Sequence, residues 1–337
     1  MRTFLMKLAG FSCIMVLIVH LLATIVRSTG HDLYADHANQ FAQFDQTSTQ
    51  PVVLTVGNSH SGALDFPTLG LNGYHLWLPG GDNFETAHIL EHALSKHPSI
   101  QYVFVNLTYY TFHHDNATLE EHAPRRKWIY STAQTSSFIQ GDFFRFVIGK
   151  WNRTVPTDTL ISADSRAVLN VLLKRAPINN SYPPLAPDGQ LLKQAYVQCE
   201  HPNSYEAAMK HSERIAARHH EVAAAATRNN AIIANSSAAI EQLITTAQEN
   251  NIQLIFYTPP YFSGYNQLFD SATQSMMQTS IEKIAQKYAV PYYNFADEPT
   301  ISDNHTLFFD PDHLNLCGAR AFSTLFIDQL RRDRRFE

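Results

Sequence analysis

Two short motifs contain the residue types from which a serine nucleophile could be built. The first is GNSHS at residues 57–61, and the second is DPDH at residues 310–313. A serine hydroxyl becomes a good nucleophile when an imidazole takes its proton, and the imidazole needs a carboxylate to fix its tautomer. Ser59, His313 and Asp310 offer these three groups. We therefore interpret them as a candidate triad for attack on an ester carbonyl.

Two aspartates compete for the role of the carboxylate. A spacing of three places Asp310 and His313 within one tight turn, so that one short loop can present both. Asp312 is the immediate neighbour of His313, and we expect its side chain to point away from the imidazole. The sequence therefore favours Asp310.

Both motifs resemble sequence blocks of the SGNH (GDSL-type) hydrolase superfamily. The serine motif stands where the superfamily has Gly-Asp-Ser, with Asn58 replacing the aspartate, and DPDHLNLCGARAFS at 310–323 resembles the closing block. The resemblance covers residues 52–330. It narrows to the membrane-anchored SGNH-like proteins that are encoded with bacterial surface-polysaccharide pathways. The resemblance implies an acyl-serine intermediate.

The resemblance also implies an oxyanion hole, meaning a set of donors that bind the oxygen of the tetrahedral intermediate. PGGD at 79–82 resembles the second block, and this resemblance implies that the backbone N–H groups of Ser59 and Gly80 are donors. The third block of the superfamily, Gly-x-Asn-Asp, is missing from YVFVNLTYYTF at 102–112. Asn106 is the asparagine of that segment and the candidate side-chain donor; the alternatives are that another residue supplies this donor or that the protein is a slow catalyst.

Three further residues are candidates for substrate contacts. His60 follows the nucleophile, and Tyr109 and Tyr110 follow the third-block strand. Aromatic side chains at the end of a strand could stack on sugar rings. The alternatives are that His60 fills the turn and that the tyrosines pack beneath a cap.

Other classes of site are not indicated. The pair His88 and His92, with Glu91 between them, lacks a third metal ligand, and we expect no metal. His211, His219 and His220 are expected on a solvated helix face. There is no Walker loop or dinucleotide fingerprint, so no cofactor is expected. A net charge of −5 argues against nucleic acid as a partner.

Strands and helices alternate along the chain. This alternation predicts an α/β fold, a three-layer α/β/α sandwich around a central parallel sheet. Sites in such sheets gather at the carboxyl ends of the strands, where Ser59 would lie. The predicted strands cover 52–56, 101–107, 252–258 and 290–295, and the predicted helices cover 86–96, 271–288 and 318–330.

The alternation stops between about residues 113 and 237. This segment is rich in aromatic residues and prolines, and it includes an alanine-rich helix over 205–226. We interpret it as a helical and aromatic insertion that caps the site. The whole SGNH-like domain then covers 51–335, preceded by a polar linker with a possible short helix at 31–50.

The N-terminus predicts one transmembrane helix. Residues 8–26 form an apolar run that is interrupted only by Ser12, His20 and Thr24, and about 20 such residues cross a bilayer. Arg2 and Lys7 precede the run and favour a cytoplasmic N-terminus. We expect residues 1–30 to form a single-pass anchor in a bacterial inner membrane, with the remaining chain in the periplasm or outside. A cleaved signal peptide is the competing interpretation.

Two cysteines lie in the soluble region, Cys199 and Cys317. Two residues carry no spacing information, and separate buried thiols are the simpler expectation. An exported compartment would allow a bridge between them.

The resemblance implies a membrane-anchored, extracytoplasmic SGNH-type serine esterase or O-acyl(acetyl)transferase. Its substrate would be a surface polysaccharide or another acylated sugar; transfer of an amino-acyl group to an envelope polymer is a variant of this hypothesis. The missing third block favours an alternative. In that alternative, the chain is a catalytically weak SGNH scaffold that binds polysaccharide or assists a membrane-bound acyltransferase.

Overall fold

The computed structural model describes residues 2–28, 35–116, 129–130, 147, 165–174, 186–190, 198–199 and 204–336. A five-stranded sheet with the order β2-β1-β3-β4-β5 lies at its centre, and all four neighbouring pairs are parallel. The predicted α/β fold with a central parallel sheet is therefore confirmed. The strands are β1 (Val53–Val56), β2 (Gly73–His75), β3 (Tyr102–Asn106), β4 (Gln253–Thr258) and β5 (Tyr292–Asn294).

The sheet separates two apolar cores because successive side chains of a strand point to opposite faces. In β1, Leu54 and Val56 belong to one core, whereas Val53 belongs to the other. In β4, Phe256 and Ile255 divide in the same way. Strands that are buried on both faces give the sandwich its three layers.

Helices cover both faces of the sheet. Asp82 and Glu85 form a reciprocal capping box that starts the helix after β2. The long helices are α1 (Arg2–Ser28), α2 (Ala35–Gln46), α3 (Asn83–Lys96), α4 (Ser165–Leu172), α5 (Tyr205–Arg228), α6 (Asn230–Glu249), α7 (Ser271–Lys287) and α8 (Leu316–Arg332). Short helices cover Phe66–Leu69, Ser263–Asn266 and Pro299–Ser302, and 3₁₀ turns cover Ser59–Ala63, Thr111–His113 and His305–Leu307.

Strand β2 and helix α6 have no counterpart among the predictions. Strand β2 is only three residues long and contains a glycine and a histidine, so it has no apolar run to identify it. Helix α6 supplies Ile240, Leu243 and Ile244 to the core that it shares with α3. The predicted end of the insertion, residue 237, therefore falls inside a helix that flanks the sheet.

Most of the predicted insertion lies outside the described residues. Its alanine-rich helix is described as α5, which extends slightly beyond the predicted 205–226. Ser204 caps this helix by accepting a hydrogen bond from the backbone N–H of Ala207. Helix α5 packs near the short helix Ser263–Asn266, which follows β4.

Helix α1 is long and apolar enough to cross a membrane. Its stretch Thr3–Val26 has a mean hydropathy of 2.4 and contributes few side chains to the interior. This supports the predicted anchor by length and composition.

Helix α2 occupies most of the segment that we expected to be a linker. Its aromatic residues Phe41 and Phe44 are buried in the same core as Leu54. The ring of Phe44 packs edge-on against Tyr74 at 4.9 Å and against His97 at 4.6 Å. The described part of the linker is therefore a helix docked on the domain.

Candidate active site

The turn after β1 presents Ser59 at the carboxyl end of the sheet. Gly57 has a φ of 137°, a conformation that favours glycine, and a Cβ atom there would overlap the side-chain oxygen of Asn106. The side chain of Asn58 then caps the 3₁₀ turn Ser59–Ala63 by accepting a hydrogen bond from the backbone N–H of His60 at 3.0 Å. The conformation of Gly57 and the cap by Asn58 thus fix the backbone of the GNSHS turn.

A small hairpin presents the imidazole and the carboxylate. Strands β6 (Phe308–Asp310) and β7 (His313–Leu314) pair antiparallel. The Asp310 carboxylate accepts hydrogen bonds from the backbone N–H groups of Asp312 at 3.2 Å and His313 at 2.9 Å. The aspartate therefore stabilises the turn that positions the imidazole.

The three predicted triad residues meet in one hydrogen-bonded path. Ser59 Oγ lies 2.7 Å from His313 Nε2, and His313 Nδ1 lies 2.8 Å from Asp310 Oδ1. Because Nδ1 faces a carboxylate, it carries the proton, and Nε2 is left to accept from the serine hydroxyl. The side chains of His313 and Asp310 are each 17% exposed, so the path remains open to a ligand.

Asp312 does not point away from the imidazole as expected. One of its oxygens lies 3.3 Å from His313 Nδ1, and the other lies 3.4 Å from His60 Nε2. Burial alone would raise the pKa of the Asp312 carboxyl, but the attraction of His313 outweighs burial and holds this pKa well below its usual range. The backbone between Asp310 and His313 curls enough to place both carboxylates beside the same ring.

The predicted oxyanion residues border the serine turn. Asn106 lies at the end of β3, where its amide donates to Asn58 Oδ1 at 2.6 Å and accepts from the Ser61 hydroxyl. The loop that contains Gly80 runs beside the turn, since the backbone N–H of Leu78 donates to the Gly57 carbonyl at 3.3 Å. We had not singled out Ser61; a second serine in GNSHS was the available signal.

An aromatic cluster adjoins the triad. His60 meets Tyr110 at 6.2 Å between ring centroids, and Tyr110 stacks on His219 of α5 at 4.2 Å. Tyr109 is 4% exposed and packs against Tyr261, which agrees with the packing alternative rather than with an open contact surface.

His219 does not lie on a solvated helix face as expected. Its Nδ1 lies 2.6 Å from the hydroxyl of Tyr265, and burial lowers the pKa of His219 to about 4. Helix α5 therefore reaches the candidate site through a neutral histidine. The sequence of α5 alone does not indicate which other element packs against the face that contains His219.

Among the described residues, His60, Asp312 and His313 are the group that could offer ligand atoms to one metal ion. The rings of His60 and His313 are stacked with centroids 4.3 Å apart and planes inclined by 25°. Imidazole lone pairs lie in the ring plane, so two nearly parallel rings do not converge on one ion. The hydrogen-bonded triad accounts for the arrangement better than a metal site does.

The cleft beside the triad is narrow. It offers room for about one water molecule, and two prolines that follow β4 form one of its walls. It is lined by Ser59, His60, Ala63, Pro259, Pro260, Asp312, His313 and Leu314.

A disulfide lies close to the candidate site in sequence. Cys199 and Cys317 are joined, which corrects our expectation of two separate thiols. Cys317 belongs to the first turn of α8, directly after the hairpin, and the neighbouring Leu316 N–H donates to the Gln198 carbonyl at 3.2 Å. The bridge fastens a distant segment beside the loop that contains His313.

Comparisons with known proteins find a matching family model and a similar solved structure. A family described as "Protein of unknown function (DUF1574)" matches residues 175–330, which include the hairpin but not Ser59. No curated protein matches the chain. Among solved structures, a protein of Bacteroides fragilis NCTC 9343 described as a "putative acylhydrolase" is similar with a TM-score of 0.38 and 13% identity, over 90% of this chain and 97% of that one. A likeness at this level carries no argument about activity.

Proposed function

We propose that this chain is an anchored, exported serine esterase or O-acyltransferase of the SGNH type. One observation carries the proposal: the continuous path from Ser59 Oγ through His313 to Asp310 at the carboxyl end of the sheet. Each group lies within hydrogen-bond distance of the next, as nucleophilic catalysis by serine requires.

The geometry supports a two-step reaction. His313 Nε2 takes the hydroxyl proton as Ser59 Oγ attacks an ester carbonyl, and Asp310 stabilises the imidazolium that forms. The tetrahedral intermediate collapses when His313 returns that proton to the departing sugar oxygen. An acyl-serine remains. Water or a second hydroxyl then gives its proton to His313 and attacks the acyl carbon. As the bond between the acyl carbon and Ser59 Oγ breaks, His313 returns that proton to Ser59 Oγ.

The oxyanion of this intermediate needs donors that are already in place. We assign the backbone N–H groups of Ser59 and Gly80, together with the second amide proton of Asn106, since Asn58 accepts only one. Loss of one such donor costs about 3–4 kcal/mol in the transition state. The hydrogen bonds of Asn106 to Asn58 and Ser61 hold its amide still.

Features outside the triad support the proposed location and substrate. Helix α1 could serve as an anchor, and a disulfide is favoured in oxidising compartments such as the periplasm. With the SGNH resemblance, these features support an extracytoplasmic site that acts on acyl esters, above all acetyl esters, of a surface polysaccharide.

The direct test is ester hydrolysis by the detergent-solubilised full chain. Ser59→Ala should lower the rate of p-nitrophenyl acetate hydrolysis by about 10⁴-fold, since removal of a triad nucleophile commonly costs that much. Ser95→Ala is a matched control because the Ser95 hydroxyl bonds only to a carbonyl of α3. An unchanged rate in Ser59→Ala would rule out this serine as the nucleophile.

A second candidate function has one observation in its favour. The narrow cleft leaves little space at Ser59, which fits a scaffold that binds polysaccharide or assists a membrane-bound acyltransferase without reacting itself. A fluorophosphonate probe distinguishes the two functions. Covalent labelling of Ser59 supports the enzyme, whereas no labelling together with retained polysaccharide binding supports the scaffold.

A further inference from the structure

His60 is buried beside the triad but has no part in the hydrogen-bonded path. Only 2% of the residue is exposed, and its ring lies against that of His313 at 4.3 Å. The ring of Tyr261 meets it edge-on at 5.7 Å from another side. These two contacts hold the ring of His60 against His313, the proposed base.

The hydrogen bonds of Asn58 fix the tautomer of His60. Asn58 Oδ1 faces the backbone N–H of His60 at 3.0 Å, and a backbone N–H can only donate, so this atom must be the amide oxygen. The same oxygen lies 3.0 Å from His60 Nδ1. Nδ1 therefore carries a proton, although free histidine has no such constraint.

The surroundings of His60 determine its charge. Burial lowers the pKa of His60, His313 lowers it further, and the carboxylates Asp312 and Asp310 act in the opposite direction. Helix α5 adds His219, and the loops after β3 and β4 add the hydroxyls of Tyr110 and Tyr261. Asp312 Oδ2 lies 3.4 Å from His60 Nε2, but this nitrogen makes no hydrogen bond among the described residues. With burial as the largest influence on the pKa, His60 is a neutral ring with its proton on Nδ1.

A neutral ring in this place has a specific effect on the proposed reaction. The face of an aromatic ring attracts a cation, with a strength of about 0.5–2 kcal/mol that increases as water is excluded. His313 becomes a cation only while it holds the serine proton. The stacked ring thus favours the transition state over the resting state, which is the condition for an effect on kcat.

We propose that His60 is a positioning residue for His313: Asn58 holds its ring in one tautomer and one orientation, and the ring face supports the His313 imidazole and stabilises its charged form. The inference rests on the proposed function. The 3₁₀ turn Ser59–Ala63 then contributes both the nucleophile and the surface on which the base rests.

Two substitutions separate the ring face from the hydrogen bond. His60→Phe keeps a flat ring against His313 and removes the donor to Asn58, whereas His60→Asn keeps an amide donor and removes the ring. For p-nitrophenyl acetate hydrolysis by the full chain, His60→Asn should lower kcat about tenfold with KM within about twofold, and His60→Phe should stay within about threefold of wild type. Thermal unfolding of each variant controls for folding.

The outcomes are distinct. Wild-type kcat in His60→Asn, or a loss in His60→Phe as large as in His60→Asn, overturns the role of the ring face. If Ser59→Ala also retains activity, or if the wild-type chain neither hydrolyses the ester nor reacts with fluorophosphonate, the proposed function fails as well.

A spectroscopic measurement tests the inference if the variants do not fold. Imidazole ¹⁵N NMR of the labelled full chain in detergent should show His60 neutral at pH 7.5 with its proton on Nδ1. The Ser59→Ala variant identifies the His313 signals by their change. A proton on Nε2 instead, or on both nitrogens, overturns the inference, because a cationic His60 would repel the imidazolium of His313.

Discussion

Two histidine–aspartate pairs of this chain have nearly the same distance between imidazole and carboxylate but different surroundings. In the candidate active site, His313 lies 2.8 Å from Asp310, and its other nitrogen lies 2.7 Å from Ser59 Oγ. Between α2 and α3, His92 lies 2.7 Å from Asp45. The distance between imidazole and carboxylate therefore does not distinguish a chemical pair from a structural one.

The difference lies in what each ring contacts besides its aspartate. The ring of His92 packs against Phe41 at 4.9 Å, and Lys96 shares Asp45 with it at 3.5 Å. That pair attaches α2 to the domain. The ring of His313 instead reaches a serine hydroxyl at the carboxyl end of the sheet. The two pairs differ because the fold places a serine hydroxyl beside the ring of His313, and no described contact places one beside the ring of His92.

The largest expected effect comes from the substitution of Asp310, and the same substitution at Asp45 is the matched comparison. Asp310→Asn should lower kcat for p-nitrophenyl acetate by about 10⁴-fold, since the amide favours the wrong tautomer of His313. Asp45→Asn should leave kcat unchanged and cost about 1–2 kcal/mol of unfolding free energy. Steady-state kinetics and urea denaturation measure the two effects. A loss below about tenfold in Asp310→Asn would mean that Asp312 serves as the carboxylate.

The attachment of α2 can be broken without touching the site. Phe44 is fully buried against Tyr74 and His97, so Phe44→Ala should cost about 3–5 kcal/mol of unfolding free energy. The kcat per folded molecule should not change. The exposed Met276 of α7 provides a control, since Met276→Ala should leave the urea midpoint where it is. An unshifted midpoint in Phe44→Ala would show that α2 is not part of the cooperative unit.

The smallest expected effect concerns a third histidine, His75, which is hydrogen-bonded to Thr55 rather than to a carboxylate. Burial lowers the pKa of His75 to about 4, whereas an unfolded histidine titrates near 6.5. Between these values the unfolded chain binds a proton that the folded chain does not, so stability falls as the pH falls through this window. Between pH 7.5 and pH 5.5, the titration of His75 should lower the free energy of unfolding by about 1 kcal/mol.

His75→Gln keeps a hydrogen-bonding partner for Thr55 and removes this titration. Urea denaturation at the two pH values should therefore show a smaller pH dependence in the variant than in the wild type. Equal pH dependence in both proteins would contradict the assigned pKa.

Some strands and the candidate triad could be predicted from the sequence. Apolar runs identified β1, β3 and β4 because a strand buried on both faces needs continuous apolar residues. The order and spacing of Ser59, Asp310 and His313 suggested the triad because its chemistry requires those three types. The three-residue strand β2 and the fold-back of Asp312 carry no such pattern.

Other features depended on contacts between distant segments. The sequence of α5 predicts a solvated position for His219. The tyrosine that covers it, Tyr265, belongs to a distant segment, and the sequence of the helix does not indicate this contact. The two cysteines gave no spacing from which their pairing could be inferred. The stacking of His60 on His313 depends on how two loops meet at the sheet edge, and a linear pattern does not encode that meeting.

The docking of α2 limits how far the domain can reach. The few residues between Ser28 at the end of α1 and Ala35 at the start of α2 span at most about 25 Å when fully extended. Where α1 is embedded in a bilayer, the domain is tethered within one protein diameter of the lipid headgroups. Under the proposed function, this tether would confine action on polysaccharide strands to those that lie at the membrane surface.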